Sequence, residues 1–553
     1  MIGVLVRPAE IKAAREFFEL CKTPWEFCQT SRSYEIILST TGSTASKATR
    51  LLLVFDPPAQ DHAARDKPGT ESRQASRALS YGNDRLPLFG ATTTFPQSTS
   101  RLLVDEVTRE SVIHAQRHEA ITVIRIGYNL FAEVRHLLST GQPAAHAGTA
   151  TLELHVQLLR DLITRAGLPL VEIPPLPGDH DFIVCLTHDI DNPVLRNHCG
   201  DNTMIGFLHR ATLGSLMQAA RGRIPVGRMI RNWAAAIRLP FVYLGLARDF
   251  WSEFDRYLQI EAGLATTYFF IPERDNPGKK KNGSVPAKRA CRYTLAELQP
   301  QMQRILAAGN EIGLHGLNAW FDSPNAQREK SLIAPVTRST EIGLRMHWLY
   351  FDEGSPAVLD QAGFAYDSTI GYNQTIGFRA GTTQVFRPLE AEQLLELPLH
   401  VMDTALFYPD YLNLDEPEAY RRVTEILENF TRFGGAFTIN WHDRSIAPER
   451  LWGEFYIKLL TTLKQRSAWF ATAGQAVGWF RQRRAAALQV EVEASGAVRV
   501  RTHLTKLDST LPGLRIRVHR PHINDSNQPL AAGPDLGFVD TPFNTSTELL
   551  IAL

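Results

Sequence analysis

Hydrophobic and polar positions along the middle of the chain predict strands that alternate with helices. Residues 182–186 form a continuous apolar run bounded by charge, which is typical of a buried strand in a parallel sheet. Residues 266–271 predict a second strand and residues 311–316 a third. Between them, residues 295–308 predict a helix that stops at Gly309. This rhythm predicts an α/β fold built as a barrel or a doubly wound sheet.

The two flanking regions have different patterns. Residues 1–175 alternate strand-like and helix-like segments, and the leucines of residues 151–166 have helical spacing. The proline-rich stretch at residues 170–178 is typical of a linker. Toward the end of the chain, short segments alternate apolar and polar positions, which predicts a small antiparallel β appendage. We therefore expect an N-terminal α/β domain (1–175), a central domain (176–485) and a C-terminal appendage (486–553).

The central domain contains a basic insertion at residues 192–250. From Asn202 to Arg248 there is no Asp or Glu, while apolar residues are interleaved with arginines. The arginines are Arg210, Arg221, Arg223, Arg228, Arg231, Arg238 and Arg248. We expect a mostly helical insertion at the mouth of the site. The interpretation we prefer is a helical excursion with solvated arginines; the alternative is peripheral contact with an anionic membrane or a polyanionic substrate.

Composition narrows the functional classes. The 553 residues carry a formal net charge of +1, which gives no argument for nucleic acid as a partner. Five scattered cysteines favour a reducing compartment. No apolar run is long enough for a membrane span, and no signal peptide is visible at the N-terminus. We therefore expect a cytoplasmic protein.

Side chains able to do chemistry recur at the predicted strand ends of the central domain. In open α/β sheets and barrels, catalytic groups collect at the carboxyl ends of strands. Asp189 and Asp191 follow the first apolar run, and an extended backbone would turn both to one face. Four later predicted strands also end in Asp, His or Arg, contributing His315, Arg345 with His347, Asp367, and His442. In addition, Arg379 lies in a tight turn where it could contact substrate oxygens.

Together these motifs resemble the polysaccharide deacetylase family (carbohydrate esterase family 4) over residues 181–484. The resemblance rests on Thr-His-Asp-Ile-Asp at residues 187–191, Glu-Ile-Gly-Leu-His at residues 311–315, and the strand ends that follow. It implies a distorted, incomplete (β/α) barrel that removes acetyl groups with the help of a divalent metal. The implied roles are Asp189 as base, Asp191 and His315 as metal ligands, Arg345 holding the base, and His442 as acid positioned by Asp367. Trp441, beside that histidine, is expected to contact substrate.

One departure affects the metal site. The position of the family's second histidine is Ala319, so one ligand is missing. A catalytic zinc usually has three protein ligands and one open position. His347 lies two residues after Arg345 and is the natural replacement, with His188 or Asn318 as further helpers. The alternative is a degenerate site that does no catalysis.

These inferences lead to one main functional expectation. The chain is expected to be a zinc-dependent hydrolase that removes N-acetyl groups from a sugar or polysaccharide precursor, with carbohydrate as its substrate. Two alternatives stay open: a catalytically silent carbohydrate-binding barrel, and an amidohydrolase acting on a non-sugar amide.

Overall fold

The computed structural model of this protein describes most of the chain in two compact units. Described are residues 1–41, 49–55, 77–118, 120–222, 224–447, 449–450, 452–493, 497–504, 508–522, 530, 537–543 and 545–552, so Arg223 of the insertion lies outside them. The first unit combines Met1–Asp179, Arg379–Thr382 and Trp479–Leu553; the second combines His180–Phe378 and Thr383–Gly478. Among the described helices, none is both long and apolar enough to cross a membrane.

The first unit begins with a six-stranded sheet in the order β2-β1-β3-β4-β9-β8, parallel except for the β8–β9 pair. A separate antiparallel sheet has the order β6-β5-β7. The strands up to the domain boundary are β1 (Ile2–Leu5), β2 (Trp25–Phe27), β3 (Ile36–Ser39), β4 (Leu51–Phe55), β5 (Arg77–Tyr81), β6 (Asp84–Leu88), β7 (Val104–Asp105), β8 (Ile113–His118), β9 (Ile121–Ile126) and β10 (Leu170–Glu172). The helices are α1 (Ile11–Cys21), α2 (Leu130–Ser139) and α3 (Thr151–Arg165), the last matching the predicted leucine-rich helix.

The second unit is built on a nine-stranded sheet in which every pair is parallel. Its order is β16-β15-β14-β13-β12-β11-β18-β17, with β19 also paired to β11. The strands are β11 (Phe182–Ile190), β12 (Thr266–Phe270), β13 (Glu311–Gly316), β14 (Gly343–Met346), β15 (Tyr366–Asp367), β16 (Leu395–Glu396), β17 (Val401–Met402), β18 (Ala436–Asn440) and β19 (Ala468–Phe470). The sheet curls into an incomplete (β/α) barrel, which confirms the predicted fold class.

Helices connect these strands, as parallel pairing requires. They are α4 (Asn202–His209), α5 (Ser215–Ala220), α6 (Val226–Tyr243), α7 (Phe254–Ile260), α8 (Gln299–Ala307), α9 (Ser323–Thr337), α10 (Ser355–Gln361), α11 (Asp403–Phe407), α12 (Glu416–Phe433), α13 (Gly453–Lys464) and α14 (Ala473–Ala485). A π-helical stretch, Arg210–Gly214, joins α4 to α5. Short 3₁₀ turns occur at Pro8–Glu10, Ala144–His146, Leu195–His198, Ala287–Arg289 and His347–Leu349. The basic insertion is therefore mostly helical, as expected.

The apolar runs in the sequence correspond to strands that are covered on both faces. All nine residues of β11 are buried, and so are all five residues of β12. Tyr268 and Phe270 of β12 belong to one apolar core with Met302 of α8 and Ile333 of α9. Burial on both faces explains why the sequence shows continuous apolar runs here instead of alternation.

The C-terminal segment consists of short strands, as predicted. Its strands are β20 (Ala487–Val492), β21 (Val498–His503), β22 (Leu514–His519), β23 (Phe538–Phe543) and β24 (Glu548–Ile551), in antiparallel pairs. However, β22 also pairs with β10, with Leu170 opposite His519. The segment therefore shares a unit with the N-terminal region. An alternating pattern predicts that a strand exists, but not which distant strand it pairs with.

Candidate metal centre and active site

Three side chains converge at the carboxyl ends of neighbouring strands in the second unit. Asp191 directly follows β11, His315 is the penultimate residue of β13, and His347 directly follows β14. All three line a cavity of about 410 Å³. Because the sheet is parallel, these ends lie on one edge, where side chains distant in sequence meet.

The facing atoms of these side chains are mutually close. Asp191 Oδ1 lies 3.3 Å from His315 Nε2 and 3.3 Å from His347 Nδ1. The two imidazole nitrogens lie 2.9 Å apart. Donor atoms that share one small metal ion have separations of this size, since each would lie about 2.0–2.2 Å from the ion. The structure thus brings together the Asp191, His315 and His347 ligand set that the sequence predicted.

Hydrogen bonds on the far side of each ring fix which nitrogen carries the proton. His315 Nδ1 lies 3.0 Å from the backbone oxygen of Arg345, and His347 Nε2 lies 3.1 Å from the backbone oxygen of Arg289. A carbonyl oxygen only accepts, so both of these nitrogens must donate. In the neutral rings, the two nitrogens that face each other therefore both present lone pairs.

This arrangement fits a bound cation. Burial lowers the pKa of His347 to about 4, so its ring is neutral near pH 7. Asp191 Oδ1 is buried without a hydrogen-bond partner. Two lone pairs and a carboxylate oxygen that converge on one point fit a divalent cation, and the carbonyl bonds behind the rings are typical of metal-binding histidines.

Asp189 lies beside this ligand set and is held on both oxygens. Arg345 Nη1 donates to Asp189 Oδ1 at 3.0 Å, and Asn440 Nδ2 donates to Oδ2 at 2.7 Å. Oδ2 also lies 3.8 Å from His315 Nε2. Burial would raise the pKa of Asp189, but His315 and Arg345 outweigh it and keep the pKa below its usual value. Asp189 is thus an ionised carboxylate next to the candidate metal position.

Arg345 is itself fixed by a full set of acceptors. The fully buried guanidinium donates from Nη1 to Thr187 Oγ1 at 2.7 Å, and from Nε and Nη2 to the backbone oxygen and Oγ of Ser368 at 3.0 and 2.9 Å. It also lies over the Phe269 ring, 4.8 Å from the centroid. Arg345 can therefore orient Asp189 without moving.

His442 faces the same cavity from the other side of β11. Asp403 accepts from its ring Nδ1 at 2.6 Å and from its backbone N–H at 2.7 Å. Its Nε2 lies 3.9 Å from Asp191 Oδ2. Burial would lower the pKa of His442, but Asp403 and then Asp191 and Asp189 raise it to about 10. The ring is thus a protonated imidazolium whose Nε2 points toward the ligand set.

His442 is hydrogen-bonded to Asp403, not to the Asp367 that we predicted. Asp367, which we expected to position this histidine, instead accepts from the Thr369 hydroxyl at the end of β15, and burial raises its pKa to about 6. The reason is strand order: β15 lies five positions from β18, whereas β17, which leads into Asp403, is the neighbour of β18. Because β17 has only two residues, the sequence shows no pattern from which this strand or its pairing with β18 could be predicted.

Two predicted substrate contacts also lie elsewhere. Trp441 is fully buried and stacks on Phe455 and Tyr456 of α13, with centroids 5.8 and 5.0 Å away. Alternation along the extended backbone explains this, because Asn440 and His442 face the cavity and the residue between them faces away. Arg379 groups with the first unit, where its backbone oxygen accepts from Gln142 at 2.8 Å, and it does not line the cavity.

The proposed helper residues are not at the ligand set either. His188 Nδ1 hydrogen-bonds the backbone oxygen of Trp441 at 2.8 Å, and its Nε2 lies 3.0 Å from Glu261. Asn318 Oδ1 accepts from the Lys279 backbone at 2.6 Å. Neither residue lines the cavity.

The cavity contains groups that the sequence analysis did not single out. Its wall includes Tyr408, Trp348, Trp452, Asp443 and Arg444. Burial raises the pKa of Asp443 to about 7, with nearby Asp191 adding to the effect. Burial would also raise the pKa of Tyr408, but Arg450 and Arg444 lower it to about 8. These residues lie in turns and at helix ends, where no periodic pattern marks them.

Comparisons with known proteins give likenesses in fold only. No family model matches the sequence, and no curated protein matches it. Among solved structures, a Mycobacterium smegmatis protein described as a polysaccharide deacetylase is 16% identical, covering 56% of this chain and 94% of its own with a TM-score of 0.33. A Pseudomonas aeruginosa PAO1 protein described in the same terms is 15% identical, covering 58% and 98% with a TM-score of 0.34.

A third solved structure, described as Puue allantoinase, is 14% identical and covers 58% of this chain and 96% of its own, with a TM-score of 0.32. Over a little more than half of its length, the chain is thus similar in fold to proteins described as polysaccharide deacetylases and as an allantoinase. At such low TM-scores the functional argument rests on the chain's own side chains.

Proposed function

We propose that this protein is a metal-dependent hydrolase that removes N-acetyl groups from a sugar or polysaccharide precursor. The observation that carries the proposal is the meeting of the facing His315 and His347 ring nitrogens and a carboxylate oxygen of Asp191 beside an ionised aspartate. An unpaired cluster of this kind is costly to bury and is typical of a functional site, not a structural one.

Asp191, His315 and His347 would hold the metal. Two imidazole nitrogens and one carboxylate oxygen are a ligand set that suits Zn²⁺ with one position open. When bound, such an ion polarises the amide carbonyl and lowers the pKa of its water toward roughly 7.

Asp189 is suited to accept the proton of the attacking water. It is ionised, close to the ligand set, and held by Arg345 and Asn440, so its free lone pairs have a fixed direction. Its two fixed donors also prevent it from turning to become a fourth ligand. The base and ligand roles therefore fall on Asp189 and Asp191 respectively.

His442 is suited to donate a proton to the departing amine. Asp403 fixes the ring and keeps it protonated, so the proton is available on Nε2 toward the cavity. An amine is a poor leaving group until it is protonated, and an acid opposite the base supplies that proton.

The cavity suits a sugar more than a flat apolar ligand. Its volume of about 410 Å³ is large enough for one sugar ring with its acetamido group. Aromatic side chains such as Trp348 and Tyr408 present faces for C–H groups, and Asn373 and Asp443 offer partners for hydroxyl groups.

The test is release of acetate from N-acetylated sugar oligomers by zinc-loaded protein, with bound metal measured in parallel. We expect Asp189→Asn to lower turnover by roughly 10²–10⁴-fold while bound zinc stays near the wild-type level. Asp181→Asn, at the opposite end of the same strand region, is the matched control and should keep full turnover. Wild-type protein that binds zinc yet releases no acetate, but hydrolyses a non-sugar amide, would favour the amidohydrolase alternative.

A further inference from the structure

The helix α6 has an apolar face that the rest of the protein leaves exposed. Its buried face consists of Arg228, Asn232, Ala235, Leu239 and Val242. On the opposite side, large apolar residues recur every three or four positions, between 40% and 72% exposed: Val226, Ile230, Trp233, Ile237 and Phe241. A surface helix normally buries its apolar stripe and exposes polar residues. Here the buried face includes Arg228 and Asn232, whereas these large apolar residues lie on the exposed face.

This exposed face continues onto neighbouring segments of the insertion. Ile205, Leu213, Leu216 and Met217 come before α6, and Leu244 and Leu246 directly follow it; all are exposed. Eleven of the twenty large apolar side chains exposed among the described residues lie between positions 205 and 246. Single exposed apolar residues are ordinary, but such a concentration marks an interaction surface. We call the described residues among 205–246 the apolar-basic face, which leaves out Arg223.

The charges on this face all have one sign. No Asp or Glu occurs from residue 202 to residue 248. Arg221, Arg231 and Arg238 are exposed beside the apolar stripe. Large apolar side chains flanked by arginines, including a tryptophan, are the features of helices that lie in the plane of a membrane interface.

We propose that the apolar-basic face docks on an anionic lipid bilayer. A second copy of the chain is the other obvious occupant, but a two-fold interface would bring the same arginines against one another, which costs free energy. Lipid head groups with negative charge complement the arginines, and acyl chains cover the apolar stripe. Charge thus favours the bilayer.

Docking would place the catalytic cavity near the lipid surface. Thr203, at the start of α4, lines the cavity, and α4 leads directly into the apolar-basic face. If the proposed deacetylation is correct, the substrate class follows: a saccharide carried on a lipid. This extension rests on the proposed function, whereas the docking itself does not.

The test is flotation of the full-length protein with vesicles of phosphatidylcholine alone and with one third phosphatidylglycerol. Wild-type protein should float with the anionic vesicles and much less with the neutral ones. Ile237→Asp with Phe241→Asp should weaken binding by at least about tenfold, because a buried apolar side chain of this size contributes about that much or more. Leu332→Asp with Ile457→Asp, two exposed apolar residues outside the face, is the matched control and should bind like wild type.

A second variant keeps the test decisive if the first perturbs folding. Arg231→Gln with Arg238→Gln leaves the apolar stripe intact, and it should lose most of the preference for anionic vesicles. Far-ultraviolet circular dichroism checks that each variant is folded.

Absence of wild-type binding, or equal binding to both vesicle types, would overturn the proposal. So would a wild-type dimer that becomes monomeric in the Ile237/Phe241 variant, since the face would then be a protein interface. Acetate release on soluble oligomers is measured separately, so failure of the proposed function is distinguishable from failure of docking.

Discussion

Each of the two compact units contains a buried cluster of a carboxylate with basic side chains. In the first unit, Glu172 accepts from Arg160 Nε at 2.8 Å and from His519 Nε2 at 3.1 Å. Burial would raise the pKa of Glu172, but Arg160 and then His519 hold it far below its usual value. In the second unit, Asp191 faces two histidines at 3.3 Å, and neither ring directs an N–H toward it.

The difference separates a structural cluster from a functional one. Glu172 has donors whose hydrogens point at it, so the cluster is complete as the chain supplies it. Around Asp191 the backbone carbonyls of Arg345 and Arg289 have taken the ring hydrogens, so three acceptor atoms meet with no donor. Both clusters place a carboxylate beside basic side chains in a buried environment. The direction of the hydrogens distinguishes them.

We expect the largest effect on stability from a substitution that breaks the complete Glu172 cluster. Glu172→Ala leaves Arg160 and His519 buried without their partner, and we expect the free energy of unfolding to fall by about 3–5 kcal/mol. Asp191→Asn in metal-free protein should cost less than about 1 kcal/mol, because it removes a charge that has no donor. Urea denaturation of both variants measures the contrast. Equal losses would mean that both clusters are structural.

The second expected effect concerns metal affinity. His347→Ala removes one of three ligands, and we expect zinc affinity to fall by at least about 100-fold. Competition with a chromogenic chelator measures this affinity. The control is Glu172→Gln, whose zinc affinity should match that of wild type. An unchanged affinity in His347→Ala would remove this residue from the ligand set.

The third prediction concerns how stability depends on pH, because Asp403 raises the pKa of His442. The pKa of His442 in the folded protein is about 10, above the usual value near 6.5 for an unfolded chain. Its stabilisation is therefore complete below about pH 6.5 and is lost as the pH rises through about 10. In metal-free protein, Asp403→Asn should be less stable than wild type by roughly 1–3 kcal/mol near neutral pH, and this gap should shrink toward pH 10. A gap that grows with pH would contradict the assignment.

The smallest expected effect distinguishes two aspartates at strand ends. Asp367→Asn should change kcat by less than about threefold, because Asp367 contacts Thr369 and not His442. Asp403→Asn should lower kcat clearly, with less change in KM, because it alters the proton donor and not substrate contacts. Steady-state acetate release on both variants provides the comparison. A large loss in Asp367→Asn would restore the role that the sequence suggested.

The sequence was sufficient for the fold class and most of the site because both rest on strand ends. The apolar run of β11 and the polar residues after β13, β14 and β18 are local patterns, and parallel pairing brings them to one edge. The position of His347 beside Asp191 and His315 could be predicted because it follows β14, the strand that neighbours β13.

What could not be predicted depends on pairing between distant segments. Asp403 is adjacent to His442 only because β17 pairs with β18, and a two-residue strand leaves no periodic signal. The pairing of β22 with β10 is hidden for the same reason. The prediction that Trp441 contacts substrate was wrong for a different reason. Alternation along the strand already implied that Trp441 faces away from Asn440 and His442. Which face of α6 is exposed depends on which side the rest of the fold covers. Apolar residues occur around the helix, so the sequence pattern does not show which side that is.

The central claim is that Asp191, His315 and His347 hold one metal ion. The most direct measurement is a crystal structure of zinc-loaded protein with anomalous data collected at the zinc edge. We predict one peak within about 2.0–2.2 Å of Asp191 Oδ1, His315 Nε2 and His347 Nδ1, with Asp189 outside the ligand set. A peak elsewhere, or stoichiometrically loaded protein with His347 turned away from the ion, would contradict the account.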